Sequence, residues 1–357
     1  MFNELFVDLY AVPRMNETRL KNLLARFDTP EQVLGAPSAE LTNVKGVDAE
    51  LAAGIASYQR APETDQRIRA AQAAGVATLC FSEVDFPANL KELEHMPPVL
   101  FARGDVAPED SQAVAVVGTR LLSNYGRQMA EKFGRELAQH GVTVVSGLAR
   151  GVDTFAHRGA LAAGGRTIGV LGCGLDVHYP PENRKLYDEI AASGAVLSEF
   201  TFGMGPLAMN FPKRNRVVSG LSRVVVAVEA GEKSGVLNTV AWAEEQGRAV
   251  YAVPGNLTSP QSIGTNRLLK EGAHPVTSVE DILRDLGIAV QRAERRAVAV
   301  AADEQPVLDF LSSEPVHIDD ICEGLGLPVA VLLSLLLQLE LKGLVRQLPG
   351  KLFVKEV

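Results

Sequence analysis

FPKRNRVVSGLSRVVVAVEAGEKSG, Phe211 to Gly235, decides how the rest of this 357-residue chain is read. An aromatic is followed at once by the cations Lys213, Arg214 and Arg216, with Asn215 between the two arginines. The run Val224 to Val228 is apolar without alternation, as in a parallel strand buried on both faces. The glycine-bracketed turn GEKSG then feeds the next helix. In an open α/β sheet, ligands lie beyond the carboxyl ends of the strands. A basic helix and a Gly/Lys/Ser turn arriving at that edge together make it a phosphate-binding candidate.

Outward from this stretch, strands and helices alternate from Ala73 onward. VATLCF, PPVLFARGD, AVAVVGTR, VTVVSG, TIGVLG and AVLSEF precede it as strands, and RAVYAVPG ends the series. The intervening helices include YGRQMAEKFGRELAQHG, with Ser123 placed to cap it, and VDTFAHRGALAAG. This pattern predicts an α/β fold with a doubly wound, mainly parallel sheet over residues 66–290. Residues 1–65 are all-helical by the spacing of Leu5, Leu9 and Val12, then Leu20, Leu23, Leu24 and Phe27. Within them LTNVKGVDAELAAGI places a short Gly-containing turn between two apolar helices, as in a helix-hairpin-helix. Its acidic setting and the absence of paired Gly-x-Gly turns favour a packing module over a phosphate clamp.

Residues 291–305, QRAERRAVAVAADEQ, read as a linker. Residues 306–357 give three helices and a terminal strand pair joined by an LPGK turn, a winged-helix pattern. The third of these helices, Val329 to Leu341, contains no Lys or Arg, which favours a protein-contacting or structural role over reading DNA.

With 46% hydrophobic and 22% charged residues, the chain is globular and long enough for two or three domains. Its net charge of −8 is uneven: residues 1–65 carry −4 and residues 303–357 carry −5, leaving about +1 in between. A polyanion would therefore bind the middle, where local field outweighs total charge. Cys80, Cys173 and Cys322 have neither CxxC nor metal spacing, and the N-terminus lacks a signal-peptide pattern. No apolar run approaches a membrane span. The expected compartment is cytoplasmic, with no metal and no cofactor.

Chemistry is narrowed by what the turns lack. There is no GxxxxGK[ST], GTRLLSNYG does not have GxGxxG spacing, and GCGLD has only the first two glycines of that fingerprint. Asp153 and His157 share a helix face as a general acid/base pair, or Asp153 caps the helix with His157 a satisfied neighbour; the second reading is favoured. Glu199 and Glu229 are the remaining acid/base candidates. For binding, Arg120 reaches over the sheet from the AVAVV strand, and SGLARG and GEKSG present backbone N–H groups with Ser146, Lys233 and Ser234. Arg214 and Arg216 lie on different helix faces, so one is expected to meet the ligand while the other pairs with Glu199 or Glu229. Phe211 is either a base-stacking platform or core packing at the helix start.

At these residues the chain resembles the DNA-processing protein A (DprA/Smf) family. The resemblance is carried by VAVVGTR with SNYG, SGLARGVDTFAH, TIGVLGCGLDVHYPPEN, LSEF, FPKRNRVVSGLS, VEAGEKSGVLNT, RAVYAVPG and GTNRLLKEGA, across Ala113 to Ala273. It implies an extended Rossmann fold flanked by an N-terminal helical (SAM-like or helix-hairpin-helix-like) domain and a C-terminal winged-helix (DML1-like) domain. It also implies a non-enzymatic homodimer in natural transformation (competence) that binds single-stranded DNA and loads the RecA recombinase onto strands covered by single-strand-binding protein. Carried over by motif, the DNA site comprises Gly118, Thr119 and Arg120, then Ser146, Gly147 and Arg150 of SGLARG. Phe211, Lys213, Arg214, Asn215 and Arg216 continue it, and Lys233, Ser234 and Gly235 complete it. Where many relatives have basic residues, this chain has Ala208 and the pair Pro181 and Glu182, leaving Arg184, Lys185 or Lys213 as replacements. Two rival classes remain. A nucleotide-monophosphate hydrolase would need a PGGxGTxxE-type turn, and GEKSGVLNT has no acid in the last position. A pure adaptor would act through its terminal modules alone.

Overall fold

The computed structural model describes residues 1–289 and 300–356. Its centre is a nine-stranded sheet. The strands are β1 Ala77–Cys80, β2 Val99–Gly104, β3 Val114–Val117, β4 Val144–Ser146, β5 Thr167–Leu171, β6 Ala195–Ser198, β7 Val224–Ala227, β8 Ala249–Ala252 and β9 His274–Pro275. They are ordered β1-β2-β6-β5-β4-β3-β7-β8-β9. Every pair from β6 across to β9 is parallel, while β1 and β2 extend the β6 edge antiparallel. From β3 the chain winds one way to β4, β5 and β6 and the other way to β7, β8 and β9. That makes the fold an extended Rossmann sheet with its topological switch at β3.

The unbroken valine runs follow from burial on both faces. Val114, Val116, Val224 and Val226 face the helices Asn124–Gln139, Val152–Ala162 and Val279–Asp285. Ala115, Val117, Val225 and Ala227 face the helices Asn210–Leu221 and Val236–Glu245. Each fully buried valine contributes roughly 1.5–3 kcal/mol, so neither face tolerates a polar alternation. Ser123 caps its helix as expected, its Oγ accepting from the Gly126 N–H at 3.0 Å. The strand series does not end at RAVYAVPG. The two-residue β9 is added at the edge, where a proline is tolerated.

The N-terminal helices close a core of Phe6, Leu9, Leu20, Leu23, Leu24, Leu51 and Ile55, and the same core takes in Cys80 of β1 and Val99 of β2. Thr78 N–H donates to the Met1 carbonyl at 3.2 Å, and Asn3 N–H donates to Thr78 Oγ1 at 2.8 Å. The expected division at 65/66 falls inside the helix Pro62–Ala73, whose Ile68 and Ala71 pack with Val7, Phe101 and Val196. The helical unit is thus fused to the sheet edge through shared apolar surface.

At the other end, helices Gln305–Phe310, Ile318–Leu325 and Val329–Leu341 pack on a small sheet of β10 Val316–His317, β11 Val345–Leu348 and β12 Leu352–Lys355, ordered β10-β12-β11. This is the expected winged helix. Residues 290–299, which include most of the expected linker, lie outside the described residues. Glu304, the linker's penultimate residue, is buried and accepts from Lys342 Nζ at 2.8 Å and from the Ala301 N–H at 2.7 Å. Among the described residues no single helix is long and apolar enough to cross a membrane.

Candidate nucleic-acid interface

Three turns leave the switch point: Gly118–Arg120 after β3, the SGLARG turn after β4 and the GEKSG turn after β7. With the first turn of the helix Asn210–Leu221 they enclose a cleft of about 410 Å³. Glycine is required here for close approach. A Cβ on Gly118 would stand 2.3 Å from Val152, and one on Gly147 would stand 2.6 Å from Arg214 Nη2. The SGLARG turn is held from several sides. Asp153 Oδ2 accepts from the N–H of Gly147 at 3.1 Å and of Ala149 at 3.3 Å. Thr154 Oγ1 donates to the Ala149 carbonyl at 2.7 Å, and Asn183 Nδ2 donates to the Leu148 carbonyl at 3.1 Å. Leu148 takes a left-handed φ of 54°, a strain of about 1 kcal/mol that this network offsets. Asp153 is therefore no helix cap. Gly151 occupies the N-cap position, and the carboxylate braces the turn before it.

Both arginines of the central motif are buried. Arg214, 5% exposed, donates from Nη1 to the carbonyls of Gly147 and Val170, tying the SGLARG turn to β5. Burial pushes its guanidinium below the ordinary range, opposed by the Asp153 carboxylate; burial likewise raises Asp153, opposed by Arg214. Arg216 pairs through Nη2 with the buried Glu199 and donates to the His95 carbonyl. Glu199 is thus the partner of one arginine, as expected, but Arg214 is anchored to carbonyls rather than free to carry the ligand. Glu229 accepts from Ser123 N–H at 2.9 Å and Ser123 Oγ at 2.6 Å.

The acid/base reading fails on the same grounds. His157 is fully buried, its Nδ1 lies 2.7 Å from Thr167 Oγ1, and burial with the nearby Arg214 lowers it to about 3. Its Nε2 has no partner among the described residues, which satisfy only half of the ring. Burial raises the Cys173 thiol to about 11, leaving no thiolate at neutral pH.

What faces outward is different. Phe211 is half-buried, with the Arg120 guanidinium 5.4 Å from its ring centre on one approach and Arg214 6.0 Å on another. Tyr179 lies against it at 5.6 Å between centroids. The ring forms part of the cleft wall and does not belong to the hydrophobic core. Arg120 is exposed and, among the described residues, forms no ion pair. The helix Val236–Glu245 begins at the cleft with Gly235 as its N-cap; Ser234 Oγ accepts from the Val236 N–H at 3.4 Å, and the helix dipole at this end favours anions.

Of the residues expected in the site, Gly118, Thr119, Arg120, Gly147, Phe211, Arg214, Asn215, Ser234 and Gly235 line this cleft. Arg150 lines a small recess on the Tyr179 side of Phe211 and is paired with Glu182. Ser146 is fully enclosed, donating to the Val116 carbonyl at 2.7 Å, and has no surface for a ligand. Lys233 is exposed on its turn but outside the lining, and Lys213 points to Glu17 of the helical unit at 4.0 Å. Arg184 and Lys185 are exposed and line neither recess, and Lys185 pairs with Glu189 at 3.3 Å. Leu121, Asn238 and Thr239 belong to the lining and were not anticipated. For the last two the available signal was position, as polar residues in the first turn of a helix that starts at the sheet edge.

Fold and site together define an extended Rossmann protein with a cationic, aromatic cleft at its switch point and an appended winged helix. Residues 77–287 match the family model for DNA recombination-mediator protein A, and residues 291–351 match that for the DprA winged helix domain. The chain belongs to the DprA/Smf family. It is 33% identical over 370 residues to Protein Smf of Synechocystis sp., covering 93% of each chain. To the DNA processing protein DprA of Streptococcus pneumoniae it is 44% identical over 207 residues, 57% of this chain and 73% of that protein. The X-ray structure of the pneumococcal protein superposes with a TM-score of 0.69 at 32% identity, covering 80% of this chain and 99% of the other. A Helicobacter pylori DprA structure, described for its single-stranded DNA binding mode, gives 0.54 at 34% identity over 59% of this chain and 95% of the other.

Proposed function

We propose that this chain is a single-stranded DNA-binding recombination mediator that holds the strand at the switch-point cleft without cutting it. The observation that carries this reading is Arg120, which forms no ion pair among the described residues, set over the Phe211 ring beside the N-terminal end of Val236–Glu245. A phosphate meets the guanidinium and helix end, and a base stacks on Phe211, each such stack contributing roughly 1–3 kcal/mol. Asp153 is the one carboxylate in the lining among the described residues, and it is committed to backbone N–H groups, which disfavours a hydrolase. The single-stranded DNA bound by the Helicobacter relative supports the same ligand class here. Within this reading the central unit, residues 66–290, carries the strand. Gly118, Thr119, Gly147, Asn215, Ser234 and Gly235 shape the cleft, and Arg214 stiffens it.

Family membership supports the rest of the proposal: a homodimer that passes the strand to RecA on DNA previously covered by single-strand-binding protein, during uptake of transforming DNA. The test is a salt-titrated binding assay of the full chain on single- and double-stranded oligonucleotides. Tighter binding to single strands is expected, with Arg120→Glu lowering the salt slope by about one. Unchanged affinity in folded Arg120→Glu and Phe211→Ala proteins would remove the proposed site.

A further inference from the structure

Beside the switch-point cleft lies a second recess of about 570 Å³, and the two share Pro212 and Asn238 in their walls. Its far side is built by the N-terminal helical unit, which contributes Lys21 and Lys45, and its near side by Lys213, Arg216 and Trp242. Arg216 is committed to Glu199, and Lys21 Nζ donates to the Glu94 carbonyl at 2.9 Å. Lys45 is exposed with its charge unopposed among the described residues. Among the described residues Lys213 is held by the 4.0 Å contact with Glu17 and by no other ion pair. Glu17 and Glu94 are the acids of the lining, and Glu245 faces His95 at 3.7 Å, so the cations of the recess are partly balanced. Trp242 is half-exposed at the floor, with His95 edge-on at 6.1 Å. The connection between the recesses is polar, formed by the Asn215 and Asn238 amides 3.2 Å apart.

We propose that this recess is a second nucleotide subsite, in which the strand leaving Phe211 crosses Pro212 and Asn238 to stack a base on Trp242 and set phosphates on Lys45 and Lys213. The inference rests on the single-stranded DNA reading above and extends it to the helical unit. An indole left half-open beside exposed lysines combines the two elements of a sequence-tolerant strand groove, a π-face and a cationic wall. Because the helical unit shares its core with β1 and β2, the groove between them has a fixed width. Lys213 would exchange its loose contact with Glu17 for a phosphate.

Trp242 is the chain's single tryptophan, so its emission reports on this subsite alone. Oligothymidylates of increasing length are titrated into the full-length protein while their anisotropy and the tryptophan emission are followed together. Short oligomers that fill only the first cleft are expected to raise anisotropy without quenching, and longer ones to quench as they bind. Trp242→Ala should weaken the long oligomer about tenfold and the short one not at all, with Trp242→Phe retaining most of the affinity. Lys45→Glu should lower the salt slope for the long oligomer by about one. Long oligomers that bind with unmoved emission overturn the subsite, as does a Trp242→Ala protein that weakens both lengths equally. Absence of anisotropy change at every length overturns the single-stranded DNA reading itself and the subsite with it.

Discussion

At the switch point the helix entering β7 brings Lys213, Arg214 and Arg216 to the sheet edge. At the other end of the chain the third winged-helix helix, Val329–Leu341, brings Leu333, Leu337 and Leu341 to its open face. Both are helices that their topology offers to a ligand, one by the switch-point rule and one by the position a recognition helix holds. They differ in what is done with charge. In the central unit two arginines are buried to stiffen the turns, and this leaves Arg120 and Phe211 to face outward from a rigid frame. In the winged helix the half-buried cation Lys342 closes on the buried Glu304, and the open face is apolar. Topology names the place for a ligand, and the distribution of buried against exposed charge determines whether the place can bind a polyanion.

The largest expected effect concerns acid stability. His157 is held neutral in the fold down to about 3, against an ordinary value of 6.5. Above that ordinary value both states are neutral; below it the unfolded chain binds the proton first, so stability falls from about pH 6.5 toward 3 by roughly 4 kcal/mol. The raised Asp153 and Glu199 carboxyls act the opposite way, so the readout is the difference in urea midpoint between parent and His157→Gln across this range. The winged helix should follow a different window. Hydrogen bonding from Lys342 depresses the Glu304 carboxyl, so its contribution is complete above the ordinary glutamate range and is lost as pH falls from there through the depressed folded value. Glu304→Gln should remove that step and leave the His157 step in place.

Next in size, Arg214→Met leaves the carbonyls of Gly147 and Val170 unpaired and should cost about 3 kcal/mol in equilibrium unfolding. Its strand-binding loss should follow from the loosened SGLARG turn. Arg120→Glu and Phe211→Ala should do the reverse, weakening single-stranded DNA by about tenfold each in a filter or anisotropy assay while leaving the unfolding midpoint in place. The smallest effect belongs to the winged helix. Leu333→Gln with Leu337→Gln should keep strand affinity within about twofold of the parent, as exposed substitutions away from a binding site do. A large loss there would place DNA on the leucine face and erase the contrast drawn above.

Much of the fold was legible because each strand of the central unit carries its own burial signal. The valine runs and glycine turns placed eight strands, whereas β9, two residues with a proline, has no periodicity to read. Strand order is not written in any local pattern, so the insertion of β6 between β5 and β2 could not be read from the pattern. At the site, the turns were legible from their glycines. The roles of the cations were not, because a helix face becomes inside or outside only once its neighbours are placed. Arg214 and Arg216 are buried by contacts to Gly147, to Val170 of β5 and to His95, Ser146 by its bond to Val116 of β3, and Lys213 is drawn off by Glu17 on a helix nearly two hundred residues earlier. Trp242 sat inside an ordinary amphipathic pattern, and only the docking of the helical unit turns it into a wall.

The antiparallel seam between β2 and β6 pairs Phe101 with Ser198, so β2, already paired with β1, finds the partner for its other edge only after more than half of the central unit has been synthesised. Until then the helical unit and the β1–β2 hairpin present an unpaired strand edge lined by Leu100, Phe101 and Ala102. Parallel strands β3, β4 and β5 are translated in the meantime, and their own pairing does nothing to cover that edge. The emergence of Ala195–Ser198 is therefore the moment at which this nascent chain changes from one with an open β-edge to one with its N-terminal half sealed.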